Sequence, residues 1–204
     1  MSTDALPLNF VPTLPAEERA RADFYALLAR LLYAPPDAAL LQTLAAAPEL
    51  DAEDGAIALA WRDLALAATA ADPEAVREEY ETAFIGVGKA PITLFTSAYS
   101  ARYTNETPLA DLRGTLAALG LGRRSDATDP EDHIAALCEV MRHLIAEEKS
   151  GLEAQQRFFE KWIWPIAAPL CSAIEKSELT PFYRRVAGFA RAFLELEHSA
   201  FEML

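Results

Sequence analysis

The side chains best suited to chemistry in this 204-residue chain lie in two short stretches. The first runs from Tyr80 to Tyr99 and contains four aromatic residues, two glycines and a proline. The second, residues 129–134, reads Asp-Pro-Glu-Asp-His-Ile. In a helical protein, loops and helix starts hold most of the residues that bind partners. We therefore expect these two stretches to recognise whatever the protein binds.

The first stretch is predicted to form an aromatic platform beside exposed backbone. Tyr80 and Phe84 are one helical turn apart and share a face. Gly86 then permits a sharp turn, and Pro91 makes the chain beyond it rigid. The polar and aromatic residues that alternate after this turn are Phe95, Ser97 and Tyr99. This pattern is typical of a groove for an extended or helical peptide, and an ordinary loop held by buried aromatic side chains is the alternative.

The second stretch is predicted to begin a helix. Asp129 is placed to cap it, with Pro130 at its first position. Glu131 and Asp132 would put negative charge in the first helical turn, where the helix dipole favours it. Two carboxylates beside His133 are suited to an arginine-rich peptide, through charge-assisted hydrogen bonds. The alternative is that these residues only start a helix and that the histidine is structural.

Catalytic patterns are weak in this chain. Helical di-metal sites need two Glu-x-x-His pairs, and only Glu195 with His198 has this spacing. A second helical stripe of possible ligands contains Glu139, His143 and Glu147. No phosphate loop, nucleophile elbow, zinc helix or dinucleotide fingerprint occurs. We therefore predict no cofactor, and keep a carboxylate-bridged metal enzyme as a disfavoured alternative.

The composition favours an all-α protein with an acidic surface. Hydrophobic residues make up 52% of the chain, and the many alanines and leucines are good helix formers. The net charge of −13 argues against nucleic acid and favours a basic peptide or protein as partner, although acidity also serves solubility. No signal peptide or membrane-spanning stretch is evident, and Cys138 and Cys171 have no metal-type spacing. We expect a cytoplasmic protein with two buried free thiols.

Helical periodicity predicts roughly nine to ten helices in a single helical domain. Residues 1–14 form a predicted flexible arm, and 15–122 an N-terminal helical part. The polar run 123–129 is predicted to be a hinge before the Asp-His motif, followed by a C-terminal helical part over 130–204. The predicted helices cover about 15–34, 37–46, 53–70, 73–84, 98–104, 108–119, 130–149 and 181–200, with another that Pro165 kinks or breaks. The aromatic residues around 158–164 are predicted to be core.

Both stretches resemble signatures of the TorD/DmsD/NarJ family of cytoplasmic chaperones for molybdoenzymes. The family has an aromatic residue, Leu-Phe, Gly-Pro, a further Pro and an aromatic-Glu-Ser-x-Tyr run, followed later by Glu-x-Pro-x-Asp-His and an apolar residue. The matching residues are Tyr80, Phe84, Gly86, Pro91, Phe95, Ser97, Tyr99, Pro130, Asp132, His133 and Ile134. The chain departs from the pattern at Ala83, Val87 and Thr96, where the family has Leu, Pro and Glu.

The resemblance implies an all-α, non-enzymatic chaperone. Such proteins bind the twin-arginine signal peptide or the apo form of a molybdopterin oxidoreductase until its cofactor is inserted. Here the sequence is similar to a subgroup with formate-dehydrogenase-type clients. Family members occur as monomers or as dimers that swap domains through the hinge. Leader-binding residues of the family correspond to Phe84, Pro130, Asp132 and His133, with Tyr25 and Tyr80 in addition.

These assignments give the residues of the site different roles. Tyr80, Phe84 and Tyr99 would contact the apolar part of the leader. Asp132, together with Glu131, would pair with an arginine. His133 would orient that carboxylate or form a hydrogen bond with the peptide backbone. A rival binding protein would instead use the aromatic C-terminal helices around 158–164 as an adaptor surface for a folded partner.

Overall fold

The computed structural model describes residues 14–50, 55–100, 108–122, 130–147 and 151–204. Within these residues the chain forms ten α-helices, one π-helical turn and no strand, which confirms the predicted all-α class. The helices are α1 (Ala16–Tyr33), α2 (Ala38–Ala45), α3 (Ala56–Ala70), α4 (Pro73–Tyr80), α5 (Ser97–Ser100), α6 (Pro108–Ala118), α7 (Ile134–Ala146), α8 (Leu152–Trp162), α9 (Trp164–Lys176) and α10 (Tyr183–Glu202), and the π-helical turn is Glu81–Ile85.

The helix starts follow from local sequence. Helix α1 begins directly after Pro15, and acidic residues lie in its first turn. The carboxylate of Asp37 accepts a hydrogen bond from the backbone N–H of Leu40 at 2.8 Å and caps α2. Asp72 caps α4 in the same way, with Pro73 in its first turn. These three boundaries agree with the predicted ones.

One apolar core joins helices from both halves of the chain. Helix α1 packs against α7, while α10 packs against α9 and α3. The ring of Phe24 contacts those of Phe189 and Phe193, with centroids 5.1 and 5.4 Å apart. Side chains from both sides of the predicted hinge therefore share one core. The hinge itself, 123–129, lies outside the described residues, so the division at that point stays a prediction.

The aromatic helix near 158–164 is divided in two. Helix α8 ends at Trp162, and α9 begins at Trp164 with Pro165 in its first turn. A proline has no N–H to donate, so it is tolerated at a helix start but interrupts a continuous helix. Phe158 and Phe159 are fully buried, which confirms that they belong to the core.

The start of α7 differs from the prediction. We expected a helix from Pro130, but α7 begins at Ile134 and its N-cap is His133, whose Nδ1 accepts from the backbone N–H of Ala135 at 3.2 Å. Residues 130–133 instead form a turn in which the N–H of His133 donates to the carbonyl of Pro130 at 3.3 Å. The backbone around this turn is bonded to another segment, so it cannot be helical. The predicted cap, Asp129, lies outside the described residues.

Both cysteines are buried free thiols, as expected. Burial raises the pKa of Cys138 and of Cys171 to about 12, so both remain protonated at neutral pH. Among the described helices, none is long and apolar enough to cross a lipid bilayer.

Candidate functional site

The two stretches singled out in the sequence are joined by backbone hydrogen bonds. The N–H of Ile134 donates to the carbonyl of Leu94 at 2.9 Å, and the N–H of Thr96 donates to the carbonyl of Asp132 at 2.9 Å. These bonds form an isolated antiparallel bridge in which Phe95 lies opposite His133. We call this unit, residues 94–97 and 130–134, the junction. These long-range backbone bonds explain why 130–133 forms a turn and not the first turn of a helix.

The carboxylate of Asp132 secures the junction from within. Its Oδ2 accepts a hydrogen bond from the backbone N–H of Ser97, the first residue of α5, at 3.2 Å. The side chain is 4% exposed. The first N–H groups of a helix have no acceptor within the helix, and this buried carboxylate supplies one. Asp132 is thus almost entirely buried and already bonded within the junction.

His133 is buried between two aromatic rings. Its ring meets those of Phe95 and Tyr33 edge-on, at centroid distances of 5.1 and 6.2 Å. Because Nδ1 accepts from the N–H of Ala135, the neutral imidazole has its proton on Nε2. The ring of Tyr33 is 60% exposed at the end of α1, so the histidine is covered by an aromatic side chain that faces solvent.

Glu131 forms an ion pair with Arg113 of α6. The arginine donates from Nε to Oε1 at 3.0 Å and from Nη2 to Oε2 at 3.1 Å, which is the two-bond fork that carboxylates and guanidinium groups prefer. The hydrogen bond and charge of Glu131, with a smaller contribution from Asp132, raise the pKa of Arg113. The buried side chains of Leu112 and Leu116 anchor α6 and so fix this arginine.

Tyr80 and Phe84 share a face as predicted, but that face points into the core. Their rings are 5.2 Å apart, and the ring of Phe84 lies 4.9 Å from that of Tyr183. The hydroxyl of Tyr80 donates to the carbonyl of Tyr33 at 2.7 Å. Tyr80 therefore holds the end of α1 beside the junction, and a partner would touch the two rings directly only if the core opened.

Tyr25 lies in the buried interior between α1 and α10. Its hydroxyl donates to Glu197 at 3.0 Å, and Arg21 binds the same carboxylate through two hydrogen bonds of 2.6 and 2.9 Å. Burial, followed by the charge of Glu197, raises the pKa of Tyr25 well above its usual value. The structure thus brings Tyr25 into an inter-helical network, away from the bridge.

The glycine segment forms a tight projecting turn. Gly86 has a φ of +62°, and a Cβ built on it would lie 2.8 Å from the carbonyl oxygen of Lys89. The N–H of Gly86 donates to the carbonyl of Glu81 at 2.8 Å. The side chains of Ile85 and Val87 are exposed on this turn. Pro91, also exposed, leads the chain back towards the junction.

The last residues of the first stretch close this loop onto α5. The hydroxyl of Tyr99 donates to the carbonyl of Thr93 at 2.9 Å. Tyr99 and Ser97 are half-buried, and so is Phe95. Of the predicted site residues, Tyr99 lies beside the junction. Those within the junction are Phe95, Ser97, Pro130, Glu131, Asp132 and His133.

Sequence reasoning missed Tyr33 and Arg113. Tyr33 ends the apolar stripe of α1 just before two prolines, a position that marks a helix end rather than a surface. Arg113 belongs to a helix with only two buried leucines, and its partner is 18 positions away. No spacing rule connects Arg113 with Glu131 in the sequence, because such rules apply to side chains three or four positions apart on one helix.

A groove of about 460 Å³ lies elsewhere, between α3, α4 and the residues that precede α10. Its lining includes Ala67, Ala71, Ala75, Leu179, Pro181 and Phe182. Glu79, at its edge, accepts hydrogen bonds from the backbone N–H groups of Phe182 and Tyr183 at 3.0 and 2.7 Å. This carboxylate is therefore occupied by the start of α10.

The metal alternative finds no support in the described part of the chain, where no group of three or more His, Cys, Asp or Glu side chains is arranged to hold an ion. The ring of His198 stacks on Trp164 at 3.9 Å. Glu139 pairs with Arg142 at 2.7 Å. One member of each candidate pattern, His198 and Glu139, thus contacts a side chain that is not a metal ligand.

Comparison with known proteins identifies the family. Residues 48–172 match the model of the family described as nitrate reductase delta subunit, which is a family of molybdoenzyme maturation chaperones. A segment of 123 residues is 28% identical to an uncharacterized protein of Haemophilus influenzae, and this similarity covers 60% of each chain. The family match covers more than half of the sequence and includes both stretches of the junction. The chain thus belongs to the nitrate reductase delta subunit family.

Proposed function

We propose that this protein is a chaperone that binds the twin-arginine signal peptide of a molybdopterin oxidoreductase, or its apo form, until the cofactor is inserted. Family membership supports the chaperone role. The choice of site rests on the junction. There, the two stretches that resemble the family signatures are hydrogen-bonded to each other, and Glu131 binds the guanidinium group of Arg113. A non-enzymatic role follows from this proposal.

In the proposed complex, the apolar part of the leader contacts exposed apolar side chains beside the junction and on the glycine turn that precedes it in the chain. Tyr33, Ile85 and Val87 face solvent, and Phe95 is half-buried. Exposed apolar side chains beside a polar site favour a partner with both kinds of group. A leader with arginines next to an apolar segment has this composition.

The buried residues of the predicted site act in this proposal by positioning. Tyr80 holds the last carbonyl of α1. Asp132 holds the start of α5, and His133 supports the rings of Phe95 and Tyr33. Their loss would change the shape of the binding surface rather than remove a direct contact.

The overall charge supports a basic partner. With 31 acidic and 18 basic residues, the chain has a net charge of −13. Opposite charges accelerate encounter and disfavour acidic competitors. The proposed partner is therefore attracted before any specific contact forms.

Calorimetry with purified protein and synthetic leaders tests this function. A leader with both arginines replaced by lysine is the control, because lysine keeps the charge but cannot form the two-bond fork. We expect micromolar or tighter binding of the arginine leader and at least about tenfold weaker binding of the lysine leader, as the loss of charge-assisted hydrogen bonds implies. Equal affinities for the two leaders would contradict recognition of the arginine pair.

The client is tested by comparing leaders of different molybdoenzymes. The resemblance to a formate-dehydrogenase subgroup makes leaders of that type the first choice. If no leader binds but the apoenzyme co-purifies with the chaperone from cells, the mature part of the client is the main contact. If neither binds, the proposed function is wrong.

A further inference from the structure

We propose that the groove between α3, α4 and the residues before α10 docks an amphipathic helix of a protein partner, with a lysine or arginine of that helix beside Glu78. In terms of the proposed function, this helix belongs to the client outside its leader, because the leader is assigned to the junction. Only the identity of the partner rests on the proposed function; the shape and charge of the groove do not.

Short side chains create the groove. Ala67, Ala70 and Ala71 line it at the end of α3, at the spacing of neighbours on one helix face. Ala75 of α4 lines it as well. The volume of about 460 Å³ falls within the range of about 300–1,000 Å³ that is usual for binding pockets. The side chains of a partner can therefore enter between the two helices.

Apolar groups are available to a partner at the floor and at the rim. Val76 and Phe182 line the groove and are 4% and 6% exposed. At the rim, Leu179 is 42% exposed, and Pro181 is also exposed. An accessible apolar concavity of this kind favours a partner that can bury leucine-like side chains in it.

The wall within residues 179–182 is held in place by hydrogen bonds. The buried hydroxyl of Thr180 donates to the carbonyl of Ile174 at 2.6 Å. The carboxylate of Glu79 accepts from the N–H of Phe182 at 3.0 Å. A wall that is already ordered lowers the entropic cost of binding.

The walls from α3 and α4 favour a helical partner over an extended one. An extended peptide gains affinity by pairing its backbone with an exposed strand edge. The backbone groups of α3 and α4 are bonded within their own helices and offer no such edge. A partner helix satisfies its own backbone and presents apolar side chains at intervals of three and four residues.

The charge of the groove favours a basic partner. The described residues that line it include three carboxylates, those of Asp72, Glu78 and Glu79, and no basic side chain. The charge of Arg184 acts on Glu79 from nearby, and this arginine donates to the carbonyl of Ser177 at 3.1 Å. A second copy of this acidic chain would be repelled by like charge and is the disfavoured occupant.

Glu78 is the carboxylate suited to an external lysine or arginine. Asp72 and Glu79 already accept hydrogen bonds from backbone N–H groups. Glu78 is exposed, and its side chain forms no ion pair or hydrogen bond within the part of the chain that the structure describes. A cation of the partner can pair with it without breaking an internal contact.

The probe is a synthetic helix of about 15 residues, cross-linked so that it stays helical. It has leucines on one face and lysines beside them, and a second version has glutamate in place of every lysine. Fluorescence anisotropy measures the binding of each labelled helix to the purified protein. Analytical ultracentrifugation of the protein alone shows whether a second copy occupies the groove instead.

A groove-filling variant and a matched control locate the binding. Ala75→Phe puts a large side chain into the groove from an exposed position, so the core is not strained. Ala20→Phe makes the same change at an exposed alanine of α1, outside the groove. Ala70→Phe fills the groove from α3 and replaces Ala75→Phe if circular dichroism shows that this variant does not fold.

We expect saturable binding of the lysine helix to the wild type and to Ala20→Phe. The filled groove of Ala75→Phe should bind it at least about tenfold more weakly, which corresponds to about 1.4 kcal/mol. Absence of saturable binding to the wild type would overturn the inference, as would equal affinities of Ala75→Phe and Ala20→Phe or a dimer that forms through the groove.

Exchanging the charges tests the role of Glu78. Glu78→Lys should bind the lysine helix about fivefold more weakly than the wild type does, and it should bind the glutamate helix about fivefold more tightly than the wild type does. A gain with the glutamate helix is not expected from a variant that is merely damaged. If Glu78→Lys binds both helices as the wild type does, Glu78 is not the residue that contacts the partner.

Competition with the leader separates this surface from the junction. An excess of unlabelled twin-arginine leader should leave the bound lysine helix in place, and Ala75→Phe should bind the leader as the wild type does. Helix binding without any leader binding would support the groove and contradict the proposed function. Displacement of the helix by the leader would refute a separate docking surface.

Discussion

At the scale of single residues, the charged side chains of the junction divide into two roles. Asp132 faces inward and bonds to the backbone of α5, whereas Glu131 faces a guanidinium group at the surface. The two neighbouring carboxylates therefore point in different directions, one towards the backbone of α5 and the other towards a side chain of α6. This division was not visible in the sequence, where both carboxylates were expected to lie in the first turn of a helix.

Substitutions at Asp132 distinguish positioning from direct contact. Asp132→Asn retains an oxygen that accepts from the N–H of Ser97, so we expect little change in the free energy of unfolding and only a small loss of leader affinity. Asp132→Ala removes the acceptor and should cost about 1 kcal/mol of stability, with a clear loss of affinity. Chemical denaturation and calorimetry measure the two effects. If the asparagine variant unfolds like the wild type but loses as much leader affinity as the alanine variant, Asp132 binds the arginine itself.

At the scale of the elements, the junction depends on segments that are not regular helices. The π-helical turn after α4 and the glycine turn together carry the chain from the core to the bridge. The N–H of Ile92 donates to the carbonyl of Ala83 at 2.9 Å, which ties the end of the glycine turn to the π-helical turn. The shape of this turn therefore decides where the exposed side chains of Ile85 and Val87 are presented.

The two glycines of this turn provide a matched pair of variants. Gly86 and Gly88 both have positive φ, at +62° and +91°, which side chains rarely adopt. A Cβ on Gly86 would also lie 2.8 Å from the carbonyl oxygen of Lys89, whereas a Cβ on Gly88 would meet nothing within 4 Å. We expect Gly86→Ala to lower the free energy of unfolding by about 1–3 kcal/mol and Gly88→Ala to cost less.

Thermal or chemical unfolding measures the difference in stability between the two variants. We also expect Gly86→Ala to lower the affinity for the leader more than Gly88→Ala does. Equal stability losses in the two variants would mean that the close approach to Lys89 is relieved by a small movement of the turn. The positive φ alone would then account for both values.

At the scale of the whole molecule, the sequence predicted the helical class and most helix starts because caps and prolines act locally. Asp37, Asp72 and Pro15 mark helix starts through contacts within one turn. The position of α7 could not be predicted in this way, because its start is set by hydrogen bonds to Leu94 and Thr96, far away in the chain. Long-range backbone pairing of this kind leaves no periodic signal in a single sequence.

The same reasoning explains which parts of the site could be predicted. The two stretches were identified because glycines, prolines and aromatic residues interrupt the helical pattern there. Whether a residue faces solvent was not predictable from the sequence. Tyr80 and Phe84 of the predicted platform are buried, while Tyr33, which was not predicted to belong to the site, is exposed. Burial depends on how α1, α7 and α10 pack, and that is a property of the whole molecule.

The most direct test of the central claim is to locate the leader on the surface by photo-crosslinking. A photoreactive phenylalanine replaces Tyr33, which adjoins the junction, or Leu66, an exposed residue of α3. The two positions are matched, with 60% and 62% of the native side chain exposed. We predict crosslinks to the arginine leader from position 33, reduced by an excess of unlabelled leader, and none from position 66. Crosslinks from position 66 but not from position 33 would contradict the account, since the leader would then bind a surface away from the junction.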